Sequence, residues 1–270
     1  MIEKKPTFKD PLVARAIGKA LRIVRSTPLG LAWFKLSHRG DRYFNCPVCQ
    51  YNGPFVTLQA VYGERLHAEC PQCGALERHR LLSLVLDGVE KIYSLKDKTV
   101  LHFAPEPFFQ RRFKAFTSDY TTSDLVMRNV DMRVDLANMP FATASQDFVF
   151  ASYILQYVPD DMQALREIHR VLRPGGIAIL PVTIVAAKTI EYPEPNMHES
   201  GGHIRAPGFD YYDRFKQVFN RVDLHASSDF PEKYQTYVYE DRTHWPTPEM
   251  PLRQAMAGVR HVEIIPVLWR

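Results

Sequence analysis

The sequence predicts a doubly wound (Rossmann-like) α/β fold with a mostly parallel sheet, preceded by a small cysteine-bearing module. Short apolar segments alternate with helical patterns from about residue 99 onwards, and such alternation is typical of βαβ units. A helical pattern that ends in Arg173-Pro174-Gly175-Gly176 leads directly into another apolar segment. Two Cys-Pro-X-Cys motifs lie ahead of the first strand and predict the module.

The chain has 270 residues, a net charge of +4, 46% hydrophobic residues and 24% charged residues. This length suits one large domain or a main domain with a small appendage. We find no apolar run of about 18 residues and no signal-peptide pattern, so we expect a cytoplasmic protein without a transmembrane helix. The weak net charge does not favour a dedicated nucleic-acid-binding protein.

Residues 1–45 predict an N-terminal basic amphipathic helical segment. Apolar residues recur at helical spacing within residues 11–25, and Arg15, Lys19 and Arg22 lie between them. The simpler interpretation is a surface helix with a solvated basic face. Peripheral contact with an anionic membrane surface through residues 11–25 is the alternative.

Residues 46–95 predict a zinc module and the helix that follows it. Cys46, Cys49, Cys70 and Cys73 form two tight turns that can direct four thiolates at one Zn²⁺ ion. Four sulfur ligands leave no open coordination position, so we expect a structural metal; disulfides are the less favoured alternative. The next residues, 77–80, read Glu-Arg-His-Arg, which we expect to form a solvated first helical turn. Contact of Arg78 and Arg80 with a phosphate or substrate is the alternative.

Residues 96–270 predict the main domain. Its predicted strands are 99–103, 120–122, 147–151, 177–182, 221–225 and 261–267. Its predicted helices are 108–116, 160–172 and 208–220, and another helix at 76–93 precedes them. The polar segment 183–212 predicts an acceptor-binding loop, since long loops inside compact domains are commonly functional. Residues 226–260 predict an irregular insertion.

The loop after the first strand reads Ala104-Pro105-Glu106, at the strand end where doubly wound sheets bind nucleotide-like ligands. The chain has no glycine between Gly88 and Gly175, so this loop does not predict a nucleotide site by itself. Two carboxylates, Asp124 and Asp135, follow the next two strands, and their ordered appearance favours a nucleotide-like ligand at this edge of the sheet. Each of them could instead cap a turn.

The sequence resembles the class I S-adenosylmethionine-dependent methyltransferases, in particular the group whose first motif is His-Phe-Ala-Pro-Glu. The resemblance rests on residues 100–106, 120–125 and 134–141, and most strongly on 147–180 with its Arg-Val-Leu-Arg-Pro-Gly-Gly end. Similar proteins also carry paired CPxC motifs followed by Glu-Arg-His-Arg. The resemblance covers roughly residues 98–225.

The resemblance implies a cofactor site. Glu106 would lie near the methionine part of S-adenosylmethionine, Asp124 would hold the ribose, and Asp135 with Leu136 would flank the adenine. The implied cofactor-binding residues are His102, Phe103, Ala104, Glu106, Asp124, Leu125, Asp135, Leu136 and Ser152. Tyr153 would lie at the mouth where donor and acceptor meet. Gln156 and Tyr157 replace the Glu-His of many relatives, so an acid–base role of that histidine is absent.

The predicted acceptor loop supplies further catalytic candidates. His203 could act as a general base, Arg205 could hold an anionic group, and Glu191 accompanies them. A surface loop in which these side chains pair with Asp210 and Asp213 is the alternative. A metal held by His203 with Glu191, His198 or Asp210 is less favoured. Further along, the aromatic residues that could cover an acceptor or only pack are Tyr234, Tyr237, Tyr239 and Trp245.

The resemblance implies transfer of a methyl group from S-adenosylmethionine to a small molecule or to a glycan hydroxyl. Three alternatives remain at this point. The zinc module could grip RNA in an RNA methyltransferase, although no basic stripe with interleaved aromatics supports this. The same fold could use a different methyl donor or acceptor cofactor. The chain could also be a non-catalytic zinc-bearing interaction protein.

Overall fold

The computed structural model describes residues 22–60, 63–117, 119–196, 202–240 and 260–270. Most of the basic segment 11–25 and also His198 and Trp245 therefore lie outside the described residues. Among the helices of the described ranges, none is both long and apolar enough to cross a bilayer.

The central feature is a seven-stranded sheet, as the sequence predicts. Its strands in chain order are β5 Thr99–Phe103, β6 Asp119–Asp124, β7 Met132–Arg133, β8 Gln146–Ala151, β9 Leu172–Ile179, β12 Arg221–Ala226 and β15 Ile264–Trp269. Their order across the sheet is β12-β15-β9-β8-β5-β6-β7. Strands β5 to β9 pair in parallel, and β15 runs antiparallel to both of its neighbours. The predicted fold class is confirmed.

Helices cover both faces of this sheet. The helices are α1 Pro28–Ser37, α2 Glu77–Ile92, α3 Pro107–Phe116, α4 Asp161–Val171 and α5 Tyr211–Lys216. Apolar residues of α2 and α3, such as Leu82 and Phe113, pack on one face of the sheet with Phe148 and Ile177. Apolar residues of α4 and α5, such as Ile168, pack on the opposite face. Burial on both faces explains why the central strands β5 and β8 are mostly apolar.

A second sheet joins the cysteine module to the end of the chain. The module holds β1 Phe44–Asn45, β2 Asn52–Gly53, β3 Val56–Ala60 and β4 Gly63–Glu69. Strands β13 Val238–Glu240 and β14 Arg260–His261 extend β3 and β4 into a four-stranded sheet of order β14-β13-β4-β3. The insertion predicted to be irregular thus contributes strand β13. The strand predicted at 261–267 is divided between β14 and β15, which belong to different sheets.

Two further segments differ from the sequence prediction. The predicted loop 183–212 contains an antiparallel hairpin, in which β10 Ile190–Asn196 pairs with β11 His203–Ala206. The predicted turn 173–176 lies inside β9, where the register with β8 shifts and Gly175 has a φ of 77°. A β-bulge inserts extra residues into one strand of a pair, so β9 continues beyond this turn-like segment.

Residues 22–25 are helical and are tied to the module. The guanidinium groups of Arg22 and Arg25 lie 2.5 Å and 3.0 Å from the carboxylate oxygens of Glu69, whose side chain is buried. These two basic residues therefore pair with a buried carboxylate of the module rather than forming only a solvated basic face.

Candidate functional site

The candidate site lies at the carboxyl ends of β5, β6 and β8. From β5 the chain continues outward through β6 and β7 and then returns to β8 on the other side of β5, so the strand order reverses between β5 and β8. Open α/β sheets bind ligands in the crevice at this reversal. Phe103 pairs with Ser123 on one side and with Ala151 on the other. The residues one position further along the chain, 104, 124 and 152, are therefore neighbours at one edge.

Two residues at this edge have left-handed backbone angles, with φ of 47° at Ala104 and 55° at Tyr153. Such angles cost a non-glycine residue about 1–2 kcal/mol and concentrate at functional sites. The Ala104 amide donates a hydrogen bond to the Ser123 carbonyl, and the Tyr153 amide donates one to the Pro181 carbonyl, both at 3.0 Å. Ala104 therefore makes the tight turn for which glycine is the usual residue.

Glu106 begins α3 and receives two side chains from α2. The Nε2 atom of His79 lies 2.8 Å from Glu106 Oε1, and a guanidinium nitrogen of Arg78 lies 3.6 Å from the same oxygen. Burial opposes ionisation of Glu106, but the His79 hydrogen bond and the nearby positive charge outweigh it, and the pKa of Glu106 is lowered. The second oxygen, Oε2, is buried and has no hydrogen-bond partner among the described residues. A buried carboxylate oxygen without a partner is suited to receive a donor group from a ligand.

Asp124 is the last residue of β6 and Asp135 follows β7, and each of them stabilises a turn. Asp124 Oδ1 accepts hydrogen bonds from the amides of Val126 and Met127 at 2.7 Å and 2.8 Å. Asp135 Oδ1 accepts one from the Ala137 amide at 2.9 Å. The turn interpretation is therefore correct for one oxygen of each carboxylate.

Three side chains that the resemblance assigns to cofactor binding belong to the core. His102 is fully buried, its ring centroid lies 5.0 Å from that of Phe150, and burial lowers its pKa to about 3. The side chains of Phe103 and Leu136 are buried in the cluster on the α4 face of the sheet. The assignment is corrected for His102 and Phe103, because alternate residues of a strand point to opposite faces rather than to its end. It is corrected for Leu136 because its side chain packs into the core from the turn after β7. Leu125 remains more than half exposed beside Asp124.

Polar groups without partners continue the site after β8. The hydroxyls of Ser152, Tyr153 and Tyr212 and the amide oxygen of Gln156 are buried and have no partner among the described residues. Burial and the charge of Glu263 raise the pKa values of both tyrosines, so both remain neutral phenols. Glu263 directly precedes β15, whose antiparallel direction brings its beginning to the carboxyl ends of the parallel strands. Together with Glu106, these groups make the crevice mouth polar.

The predicted acceptor residues form a structural network. Arg205 is 3% exposed and donates to Glu191 and to the carbonyls of Leu155, Val158 and Pro159 at 2.7–3.2 Å. Its guanidinium donors are thus engaged, and the predicted role of Arg205 in holding an anion is wrong.

Neighbouring charges complete this network. Asp161 accepts hydrogen bonds from Tyr211 and Arg214, and Arg214 also donates to Glu191. Arg205 therefore pairs with Glu191 and Asp161 rather than with Asp210 or Asp213. The network fixes the hairpin to the segment that follows β8.

His203 lies in β11 and is 6% exposed. Its ring centroid is 4.5 Å from that of Tyr157, which belongs to the 3-10 turn Leu155–Tyr157 after β8. Burial lowers the pKa of His203, so the imidazole is neutral near pH 7. A neutral imidazole can accept a proton, which keeps His203 among the candidates for a general base.

The four cysteines are close together. Cys46 and Cys73 have sulfurs 3.7 Å apart, those of Cys49 and Cys70 are 3.6 Å apart, and all four lie within 4.8 Å of one another. A tetrahedral zinc site with Zn–S bonds of about 2.3 Å has sulfurs about 3.8 Å apart, whereas a disulfide needs about 2.05 Å. The arrangement has the size of one tetrahedral zinc site, and no disulfide links the four cysteines in this structure.

The two cysteine turns have the same backbone. Gln50 donates to the Cys46 carbonyl and Gly74 to the Cys70 carbonyl, at 2.8 Å and 2.9 Å. Both Gln50 and Gly74 have positive φ angles. This repeated geometry directs both pairs of sulfurs to one point.

The Glu-Arg-His-Arg segment is not a solvated turn, contrary to the prediction. Arg80 is fully buried and donates hydrogen bonds of 2.6–2.9 Å to the carbonyls of Ala68, Ala75 and Gln235. Glu77 is also buried and lies 2.8 Å from Arg65. The predicted contact of Arg80 with a phosphate is wrong as well, because backbone carbonyls occupy its donors. Arg78, in contrast, reaches the crevice.

Sequence reasoning missed His79, Tyr212 and Glu263 as site residues. His79 belongs to α2, the helix that follows the cysteine module, and the sequence pattern of α2 showed only a charged first turn. Tyr212 is one of two adjacent tyrosines in a helix, and Glu263 precedes an apolar strand. The one available signal was the first turn of α2, since its Glu-Arg-His-Arg segment is part of the resemblance.

Comparisons with known proteins agree with this fold. Residues 110–180 match a family profile described as a methyltransferase domain. A Staphylococcus epidermidis demethylmenaquinone methyltransferase is 47% identical over 45 residues, which cover 17% of this chain and 19% of that protein. A Coxiella burnetii malonyl-acyl-carrier-protein O-methyltransferase is 29% identical over 96 residues, covering 35% of this chain and 33% of that protein. The prediction of a methyltransferase domain is confirmed for residues 110–180.

Solved structures of similar shape are also known. A Mesorhizobium loti S-adenosylmethionine-dependent methyltransferase has a TM-score of 0.49 and 14% identity, and the match covers 70% of this chain and 98% of that one. The curated relatives above are matched over only about a fifth and a third of their lengths.

Proposed function

We propose that the protein transfers a methyl group from S-adenosylmethionine to a small-molecule acceptor. The observation that carries this proposal is the buried Oε2 atom of Glu106, which has no partner among the described residues and lies at the end of the first strand of a doubly wound sheet. Glu106, Asp124 and the backbone around Ala104 would hold the donor, with Asp135 and Leu125 beside its base. The residues present fit the cofactor, since carboxylates follow the strands next to the strand-order reversal.

The bound donor would supply an electrophilic methyl group on a sulfonium. The chain contributes mainly position, because holding two reactants in line removes much of the entropic barrier to their reaction. Ser152, Tyr153 and Tyr212 would orient the acceptor through hydroxyls that lack partners in the described structure. The neutral His203 imidazole would take the acceptor proton, and Glu191 would hold the hairpin through Arg205 rather than touch the acceptor.

The chemical class of the methyl acceptor is likewise a proposal, which starts from the acceptors named for the relatives. A quinone-type carbon acid and a sugar hydroxyl each lose a proton when they are methylated, whereas a carboxylate on an acyl carrier does not. The crevice mouth combines neutral phenols with the Glu106 and Glu263 carboxylates, which favours an uncharged acceptor over a carboxylate. Methylation assays with one representative of each class would distinguish them.

Calorimetry with S-adenosylmethionine and S-adenosylhomocysteine tests the donor. We expect the wild-type protein to bind both, and Glu106→Gln to weaken binding about 10- to 100-fold, which corresponds to one hydrogen bond to a charged group. Glu90→Gln is the control, because Glu90 pairs with Arg112 on the outer side of α2 and α3. Absence of heat and of a thermal shift for the wild-type protein would reject the donor. A His203→Ala variant with an unchanged single-turnover rate would reject His203 as the base.

We propose that Cys46, Cys49, Cys70 and Cys73 hold one structural Zn²⁺ ion. The support is the 3.6–3.7 Å sulfur separations and the matched turns of the two cysteine pairs. Metal analysis of the purified protein should find one zinc per chain. A folded protein with no bound metal would contradict the proposal.

A further inference from the structure

We propose that His79 is a positioning residue that couples the four-cysteine module to Glu106, so that the module sets the affinity for the methyl donor. This inference rests on the proposed function. It concerns residues that neither the family profile at 110–180 nor the relatives' names assign to any role.

A continuous chain of hydrogen bonds connects the module to Glu106. The second cysteine turn closes where the Cys70 amide donates to the Ala75 carbonyl at 2.9 Å. The next amide, that of Leu76, donates to Nδ1 of His79 at 3.0 Å. His79 Nδ1 is therefore an acceptor, and the proton of the neutral ring lies on Nε2. That N–H donates to Glu106 Oε1 at 2.8 Å.

The imidazole of His79 has little freedom to move. It is 5% exposed, and its ring centroid lies 4.8 Å from that of Phe108 and 6.3 Å from that of Phe109. Both phenylalanines belong to the first turn of α3, which Glu106 caps. The carboxylate is thereby held by one oxygen, which leaves Oε2 directed to a separate partner.

The start of α2 is itself rigidly attached to the module. Arg80 donates to the carbonyls of Ala68 and Ala75, on either side of the second cysteine turn, and Glu77 pairs with Arg65 of β4. Because these charged groups are buried, separating α2 from the module would leave them without partners. Displacement of the cysteine turns would therefore displace His79.

Arg78 supports the same connection at the same carboxylate oxygen. Its guanidinium lies 3.6 Å from Glu106 Oε1 and 5.8 Å from the ring centroid of Tyr153. The first turn of α2 thus contacts residues that follow both β5 and β8. Fixing a ligand-binding carboxylate through a second residue improves the precision of a site and its affinity.

The test uses two substitutions of His79 in the full-length, metal-loaded protein. His79→Phe removes the donor and keeps an aromatic ring between Phe108 and Phe109, whereas His79→Gln keeps an N–H donor near the Nε2 position. We expect His79→Phe to raise the Kd of S-adenosylhomocysteine about tenfold or more, and His79→Gln to restore part of the affinity. His169→Phe is the control, since His169 packs on Phe219 on the other face of the sheet.

A double-mutant cycle separates positioning from a general structural effect. In a Glu106→Ala background, which removes the acceptor oxygens, His79→Phe should cause little further loss, because the two residues act through one hydrogen bond. Additive losses, or an unchanged Kd in His79→Phe with its metal retained, would overturn the inference.

Nitrogen NMR of the His79 ring adds a readout that needs no ligand. It should show a protonated Nε2 whose shift changes in Glu106→Gln, and an unaffected shift would also overturn the inference. If the wild-type protein binds no S-adenosylhomocysteine while the NMR result holds, the proposed donor fails and the coupling to Glu106 stands.

Discussion

Replacing His102 with phenylalanine should make the stability of the protein less sensitive to acid. His102 is fully buried among the rings of Phe113, Tyr120 and Phe150, and its Nδ1 atom lies 2.8 Å from the Tyr120 hydroxyl. Its other ring nitrogen has no partner among the described residues. Protonation in the folded protein would place a charge in this apolar cluster, and the pKa of His102 is lowered to about 3.

The magnitude follows from the two pKa values. An unfolded histidine has a pKa of about 6.5, so between pH 7 and pH 5 the unfolded chain takes up a proton that the folded protein does not. Stability from this group is present above about pH 6.5 and is lost as the pH falls. Linkage gives a loss of about 2 kcal/mol between pH 7 and pH 5.

Urea denaturation of the wild-type protein and of His102→Phe, each at pH 7 and at pH 5, measures the effect. The free energy of unfolding of the wild-type protein should fall by about 2 kcal/mol more than that of the variant, because all other titrating groups are shared. The variant loses the Tyr120 hydrogen bond at both pH values, so this loss cancels in the comparison. Equal pH dependence of the two proteins would refute the assignment of a buried neutral imidazole.

Further substitutions test the other structural conclusions. Ala104→Gly should raise the free energy of unfolding by about 0.5 to 1 kcal/mol in thermal melts, because it relieves the left-handed conformation. Ala115→Gly, at an exposed position one residue before the end of α3, should instead cost up to about 1 kcal/mol. Arg80→Lys and Arg205→Lys should each destabilise the protein by about 3 kcal/mol or more, because lysine cannot reach all of the buried carbonyls. A loss of stability below about 1 kcal/mol would contradict the described hydrogen-bond networks. Cys46→Ser should abolish zinc binding and expose the module to proteolysis at neutral pH, and retained stoichiometric zinc would contradict the four-sulfur site.

Much of the fold could be predicted because it depends on local patterns. Apolar runs separated by helical segments indicated the parallel strands, and the paired Cys-Pro-X-Cys motifs indicated the module. Tight turns also follow local rules, although the sequence could not show that Ala104, rather than a glycine, adopts the left-handed angle. The hairpin of β10 and β11 was missed because β10 is polar and carries two prolines, and β11 has only four residues, which weakens the strand signal.

The site was predicted less well, since burial and pairing of charges depend on distant segments. Arg80 and Arg205 looked like solvated or ligand-binding arginines, but each donates to a carbonyl on a distant segment, 155 and 50 residues away along the chain. His102 looked like a cofactor residue because it belongs to the first motif, whereas the pleat of β5 turns it into the core.

The sequence by itself determined the four-cysteine module, the alternation of strands and helices, and the carboxylates that follow successive strands. Only the tertiary structure decided which of those side chains reach the crevice. The tertiary structure brought His79 of α2 to Glu106 and placed Glu263, which precedes the last strand, near Tyr153 and Tyr212. The physical reason is that periodicity reports local burial, whereas a buried charge takes its partner from whatever segment packs against it.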